Sequence, residues 1–372
     1  MSVVQALGTL GLYTHVPFCK SKCNYCNFYS VEYGDTTAHE LYKSAVIRNL
    51  KELGRLQFDT VFFGGGTPSL LYEQIAEILP SIPTIPDAEI TLEANPCDVN
   101  PQMLELLKQS GVNRLSIGVQ SLDDSLLRRL GRRHDSQTAL KAFEYSRMAG
   151  FDNISADIML GIPGQTLTSL RNTINALPFS QLEHISAYIY EPAVLPEDEI
   201  SQMYLTTVEL LECNGFTQYE ISNFAKSKAT VSVALPPSRS LDATAKTKAT
   251  MCRHNLKYWN CEEYIGIGPA AHSYYKGKRF AVPDDVDLFV RSSTQKTYVT
   301  EENPGSFEER AMLLLRLTHG IGSDDCTPHE WQSLCERADS IPREYINMSN
   351  ERISLTPKGF LISNKIIADL LY

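Results

Sequence analysis

The chain has 372 residues, with Lys and Arg numbering 34 against 44 Asp and Glu, a net charge of −10. At 43% hydrophobic and 21% charged residues the composition is globular, which excludes disordered and fibrous classes, and the acidic balance argues against nucleic acid as a partner, since phosphate affinity needs clustered cations. No apolar run approaches the roughly eighteen residues a membrane span needs, and the opening segment has neither a basic stretch nor a small-residue cleavage site, so a cytoplasmic protein is expected.

Strand-like runs are expected at Gly11–Val16, Thr60–Phe63, Glu89–Ala94, Arg114–Gln120, Ile154–Leu160 and Ile185–Tyr190. Amphipathic stretches separate them: His39–Leu53, Pro101–Ser110, Ser125–Leu130, Gln137–Ala149 and Thr166–Leu177. This alternation predicts an α/β protein with a parallel sheet, either an open doubly wound sheet or a partial (β/α)6 barrel, with its chemistry at the C-terminal strand ends. Ile200–Cys213 reads as a helix. The segment 226–250, rich in Lys, Ser, Thr and Ala around Pro236-Pro237, reads as a flexible insertion. The expected organisation is therefore a core over 1–225, the insertion at 226–250, a connecting region at 251–303 and a mainly helical, winged-helix-like domain at 304–372. In that last part, Glu308–His319, Pro328–Asp339 and Gly359–Leu371 read as helices, and Arg352–Leu355 as a short strand.

Nine cysteines occur without a secretion signal, so a disulfide framework is not expected. Three of them, Cys19, Cys23 and Cys26, crowd into eight residues just after the first strand. A zinc knuckle would need a fourth ligand, and none follows closely. A redox pair at Cys23 and Cys26 leaves Cys19 without a role. Three thiolates in one loop can hold three irons of a cubane cluster and leave the fourth iron open. Cys97, Cys213, Cys326 and Cys335 read as ordinary buried thiols, while Cys252 and Cys261 flank the His254 block, where the spacing gives no support to a ligand role for either.

The glycine run Gly64-Gly65-Gly66 before Thr67-Pro68 ends the second strand. It has neither the spacing of a dinucleotide fingerprint nor the lysine of a P-loop, and it reads as a tight turn or as a close backbone approach to a ligand. Glu93, Gln120 and Asp157 are polar residues on otherwise apolar strands, so each needs a partner, from a ligand or from one another.

The Cys-x3-Cys-x2-Cys loop resembles the radical S-adenosylmethionine superfamily, in which the open iron chelates S-adenosylmethionine and electron transfer splits it into methionine and a 5′-deoxyadenosyl radical. The blocks Leu92–Pro96, Leu115–Ser121, Leu130–Arg132 and Ala156–Thr166, in that order, resemble the oxygen-independent coproporphyrinogen III oxidase family and its HemW branch. The resemblance runs from about Tyr13 to the C-terminus, apart from the insertion around Lys226–Thr250. It implies Cys19, Cys23 and Cys26 as [4Fe-4S] ligands, with His15 beside the cluster. Tyr13, Tyr25, Gly65 and Glu93 match positions contacting S-adenosylmethionine. Gly66, Thr67, Gln120, Arg132 and Asp157 match positions around a second molecule of it in the oxidase.

Two features separate the branches. The oxidase has a further cysteine two positions after its last cluster ligand, where this chain has Phe28. The HemW branch has a His-Asn-x-x-Tyr-Trp block, here His254, Asn255, Tyr258 and Trp259, which could offer imidazole and aromatic faces to haem or could simply pack a seam. The resemblance thus implies a haem chaperone that takes haem as cargo and passes it to apo-haemoproteins, among them respiratory enzymes at the membrane, with an electron donor for the cluster. The alternative it implies is decarboxylation of coproporphyrinogen III.

Overall fold

Strand β1 (Leu10–Val16) is buried along nearly its whole length, and β4 (Phe58–Gly65) along all of it. Continuous burial of this kind belongs to parallel strands covered on both faces by helices. The computed structural model describes residues 10–226, 250–302 and 304–372. Most of the expected insertion, residues 227–249, therefore lies outside the described residues. The chain divides into two compact units.

The first unit takes the described residues up to Ala156, with Arg253–Tyr258 and those from Glu262 to Pro304. A short parallel pair, β2 (Phe18–Cys19) and β3 (Val31–Glu32), brackets the cysteine loop and sets Cys19 opposite Glu32. Helix α1 (Thr36–Glu52) leads to β4. Helix α2 (Tyr72–Ile78) leads to β5 (Thr84–Ala94), and α3 (Pro101–Gln109) leads to β6 (Arg114–Gln120). Helices α4 (Asp124–Arg129) and α5 (Ser136–Met148) follow. The boundaries come from local chemistry: Asp35, Asn100, Asp123 and Asp135 each accept backbone N–H groups at a helix start.

Strand β7 (Ile154–Leu160) carries the boundary between the units. The second unit contains α6 (Leu167–Asn175), β8 (His184–Ile189), α7 (Glu197–Cys213), β9 (Phe216–Gln218) and β10 (Asn223–Lys226). In it β10 pairs antiparallel with both β8 and β9.

Between Arg253 and Glu301 the sequence pattern missed strands that complete the first unit. Helix α8 (Arg253–Trp259) precedes β11 (Tyr264–Ile267), which pairs parallel with β1. Strands β12 (His272–Tyr275), β13 (Lys278–Ala281) and β14 (Tyr298–Glu301) continue outward, antiparallel. The order in this unit is β14-β13-β12-β11-β1-β4-β5-β6, and its β11-β1-β4-β5-β6 portion is parallel. β11 is only four residues long and its parallel partner lies some 250 positions away, so no local periodicity announces it. Beyond the glycine turn, Pro68 opens a short 3-10 segment, Pro68–Leu71, that runs directly into α2.

The C-terminal part, in the second unit, has helices at Phe307–Leu314, Pro328–Ala338, Pro357–Leu361 and Ser363–Leu371 around a small antiparallel sheet of Ile321–Gly322, Arg352–Leu355 and Ile346–Met348. No helix among the described residues is long and apolar enough to cross a membrane.

Candidate functional site

At the C-terminal ends of β1 and β4 the chain approaches itself too closely for side chains. A Cβ on Gly65, whose φ is +108°, would lie 2.6 Å from the His15 ring, and one on Gly66 would lie 2.8 Å from the Phe18 carbonyl oxygen. Gly66 N–H donates to Val16 O at 2.7 Å and Thr67 N–H to Phe18 O at 2.9 Å, which fixes the glycine turn against the start of the cysteine loop. The far side of the loop is held by Asn24, whose backbone N–H reaches Leu130 O at 3.4 Å and whose amide donates to Arg129 O at 3.1 Å.

Each thiol therefore meets a different element. Cys19 Sγ lies 3.2 Å from Thr67 Oγ1, and Cys23 Sγ lies 3.7 Å from Arg132 Nη1. Cys26 closes a turn through its N–H to Cys23 O at 3.2 Å. All three are half-buried and none is in a disulfide. Burial pushes the Cys26 thiol up, and the neighbouring Cys23 and Cys19 add to the effect. Arg132 also donates from Nη2 to Gly118 O at 2.6 Å and from Nη1 to Tyr25 Oη at 3.4 Å. Burial raises the Tyr25 phenol.

On the inner side, Gly65 N–H donates to Glu93 Oε2 at 3.2 Å. His15 Nε2 lies 2.8 Å from the Tyr29 carbonyl, which can only accept, so the proton sits on Nε2 and Nδ1 accepts from Tyr13 Oη at 3.0 Å. Burial lowers the His15 pKa and raises that of Tyr13, the latter with help from Glu93. Gln120 ends β6 at φ +66°, a left-handed conformation that a side chain rarely adopts and that clusters at functional sites. The first unit thus gathers Cys19, Cys23, Cys26, Tyr13, His15, Tyr25, Gly65, Gly66, Thr67, Glu93, Gln120 and Arg132 at one rim. Asp157 stands on β7 in the second unit, half-buried. Sequence reasoning missed Tyr29 and Gly118, which act through backbone carbonyls and so carry no residue-type signal.

The donor set suits a cluster. Among the described residues no three His, Cys, Asp or Glu side chains gather around a point for a single metal ion. Three free thiols spread along one loop instead match an inorganic core that takes one sulfur at each of three corners. Beside them the buried guanidinium of Arg132 has an Nε without a hydrogen-bond partner, a cationic donor suited to an anionic group.

The His254 block has a different setting. His254 is 1% exposed, with Nδ1 2.9 Å from Thr60 Oγ1 and Nε2 2.9 Å from Tyr258 Oη. Its ring stacks on Phe62, and Tyr258 meets Tyr264 edge-on. Glu89 accepts the backbone N–H groups of Arg253 and His254 at 3.2 and 3.1 Å, and Lys257, 2% exposed, lies 3.0 Å from both Asp59 Oδ1 and Glu262 Oε2. The Asp59 contact is off the line of a hydrogen bond and holds by charge. Gly11, Asp59, Thr60 and Arg114 lie in the N-terminal parts of their strands and Glu89 pairs opposite Thr60, so α8 plugs the end opposite the cysteine loop. Asn255, Tyr258 and Trp259 are half-buried.

This burial has a pH signature. Desolvation, then the charges of Lys257 and Arg114, lower the His254 pKa from 6.5 to about 3. A folded-state pKa below the unfolded one contributes stability that is complete above pH 6.5 and is lost as pH falls toward 3. Denaturant midpoints measured across that window should fall for the natural chain and fall less steeply for His254→Gln. Parallel acid profiles for the two would sink the assignment.

A model of the radical SAM superfamily matches residues 13–177. The chain is 32% identical to the heme chaperone HemW of Bacillus subtilis (strain 168), across 96% of this chain and 98% of that protein. It belongs to the HemW family. To the heme chaperone HemW of Escherichia coli (strain K12) it is 34% identical, over 72% of this chain and 70% of that one. This HemW family member also shares the fold of E. coli coproporphyrinogen III oxidase (HemN), a radical SAM enzyme, with a TM-score of 0.75 over 98% of this chain and 90% of that one at 17% identity. The radical SAM domain is one that carries a [4Fe-4S] cluster and S-adenosylmethionine.

Proposed function

We propose that this HemW family member is a haem carrier: it binds haem and hands it to apo-haemoproteins, and it holds a [4Fe-4S] cluster on Cys19, Cys23 and Cys26 with S-adenosylmethionine beside it. The observation that carries the reading is likeness to a heme chaperone along essentially the whole of both chains, at 32% identity. Phe28, where the oxidase pattern has a cysteine, points the same way.

When bound, the cluster supplies an iron that can chelate S-adenosylmethionine and an electron to cleave it. The chain's own residues set the surroundings. Glu93 pins the Gly65 amide, Thr67 stands against Cys19, and Arg132 puts a buried positive charge beside Cys23. Tyr13 and His15 form a neutral pair beneath the glycine turn. Gly66, Gln120 and Asp157 complete the proposed S-adenosylmethionine contacts, and Tyr25, fixed by Arg132, would lie against the adenine.

The haem contacts proposed at His254, Asn255, Tyr258 and Trp259 carry a condition. His254 can ligate iron only after its bonds to Thr60 and Tyr258 open, so haem binding there is coupled to release of α8. Reconstituted protein titrated with haem should show one-to-one binding by absorbance and form no protoporphyrinogen from coproporphyrinogen with S-adenosylmethionine and a reductant. Steady protoporphyrinogen production would overturn the carrier reading. Haem binding that survives His254→Ala unchanged would remove His254 from it.

A further inference from the structure

Around the cysteine loop the charge pattern runs opposite to that of the chain. Phe18–Val31 and Ser125–His134 together hold two lysines and four arginines and no Asp or Glu, in a protein of net charge −10. The fold sets these segments against each other through the Asn24 bonds to Leu130 and Arg129. Lys20 and Arg133 converge on Asp98 at 3.9 and 3.1 Å, and that carboxylate is nearly covered. Arg132 turns inward to Cys23, while Lys20, Lys22, Arg128, Arg129 and Arg133 stay at the surface. Lys22 and Arg129 have no ion-pair partner among the described residues. Glu32, beside Cys19 in the short strand pair, Asp135, next to His134 at the start of α5, and Asp123 and Asp124, at the far end of α4, are the bordering carboxylates. Phe28, two positions after Cys26, is 60% exposed.

We propose that this basic rim, with Phe28 as its apolar anchor, is the docking surface of an acidic one-electron carrier protein that reduces the cluster through the cysteine loop. The inference rests on the cluster reading above. The step is a single electron transfer: the carrier, a reduced flavin or iron–sulfur protein, is oxidised by one electron and the cluster is reduced by one, with no bond made or broken. Charge complementarity argues for the occupant, since a cationic rim on an acidic chain attracts an acidic partner and repels a second copy at its acidic faces. Electron-transfer encounters are small and weak, below about 1,200 Å² of buried surface, so a few steering charges and one exposed aromatic are enough. The location argues for the role, because electron transfer falls off steeply with distance and this rim surrounds the half-buried thiols themselves.

The test uses the full chain and a flavodoxin as an acidic one-electron probe. Oxidised flavodoxin is titrated calorimetrically, and cluster bleaching by flavodoxin hydroquinone is followed by stopped flow at low and high salt. The pair Lys22→Glu and Arg129→Glu should weaken binding and slow bleaching about tenfold or more at low salt, and flatten its salt dependence. Phe28→Ser should slow bleaching with the salt dependence kept. Bleaching by a small photochemical reductant should not change, and neither readout should change when the same reversal is made at Lys141 and Lys365. Unchanged flavodoxin binding and bleaching in the paired variant would overturn the proposal. So would a charge-dependent attachment to phosphatidylserine vesicles without flavodoxin binding, which would make the rim a membrane contact. If no cluster assembles, the calorimetric arm still decides the docking surface, so failure of the cluster reading shows up separately.

Discussion

Alanine at any one of Cys19, Cys23 or Cys26 should abolish the brown absorbance of the anaerobically reconstituted protein while leaving its circular dichroism unchanged. The loss is expected to be complete because each sulfur serves one corner of the core, and two corners do not hold it. The fold should survive because the loop is anchored by backbone bonds: Gly66 to Val16, Thr67 to Phe18, Asn24 to Leu130 and Val31 to Pro17, the last at 2.7 Å. None of these uses a thiol. Cys97→Ala, at an exposed position off this loop, serves as the control and should keep the colour. A full cluster in all three loop variants would mean that other residues hold the irons.

The largest expected loss of stability lies at the opposite strand ends. Lys257→Met should cost about 3–5 kcal/mol, since it strips a buried cation from a buried carboxylate and leaves Asp59 with Arg253 at 3.6 Å. Glu262 is the solvent-facing partner of the same ammonium, so Glu262→Gln should cost less, within about 1 kcal/mol. The double variant Asp59→Asn, Lys257→Met should recover part of the loss, because it leaves no unpaired buried charge. Denaturant midpoints for the natural chain, Asp59→Asn, Lys257→Met and their double variant close the cycle. A midpoint for Lys257→Met equal to that of the natural chain would show that water reaches Asp59 and that α8 does not seal this end.

These two layers differ in how legible they were. The cysteine loop could be read directly, because three thiols within eight residues are chemically conspicuous and the contacts that place them are short-range turns. The glycine run and the polar residues Glu93 and Gln120 were visible for a similar reason: each breaks an apolar strand pattern. Strands β6 and β7 were read to the residue, since their apolar runs are bounded by clear turn signals. The ionic layer under α8 was not readable. Asp59 and Lys257 are separated by 198 positions, and each alone looks like an ordinary surface charge.

His254 shows the same division within one residue. Its motif marked it as a candidate to face a haem iron, yet the fold occupies both ring nitrogens and places it at the strand ends away from the cysteines. Nothing in the spacing of His254, Asn255, Tyr258 and Trp259 says which end of the sheet they will reach. That is decided by β11 pairing parallel beside β1, with Tyr264 opposite Gly11.

By itself, then, the sequence determined the α/β alternation, the three-thiol loop, the glycine turn and the departure at Phe28, because each depends on neighbours in the chain. Only the tertiary structure decided that Arg132 leans on Cys23, that five cations of an acidic protein ring the loop, and that the His254 block closes the far end. Those outcomes depend on long-range pairing and burial, which set a side chain's charge state and exposure and which composition cannot report.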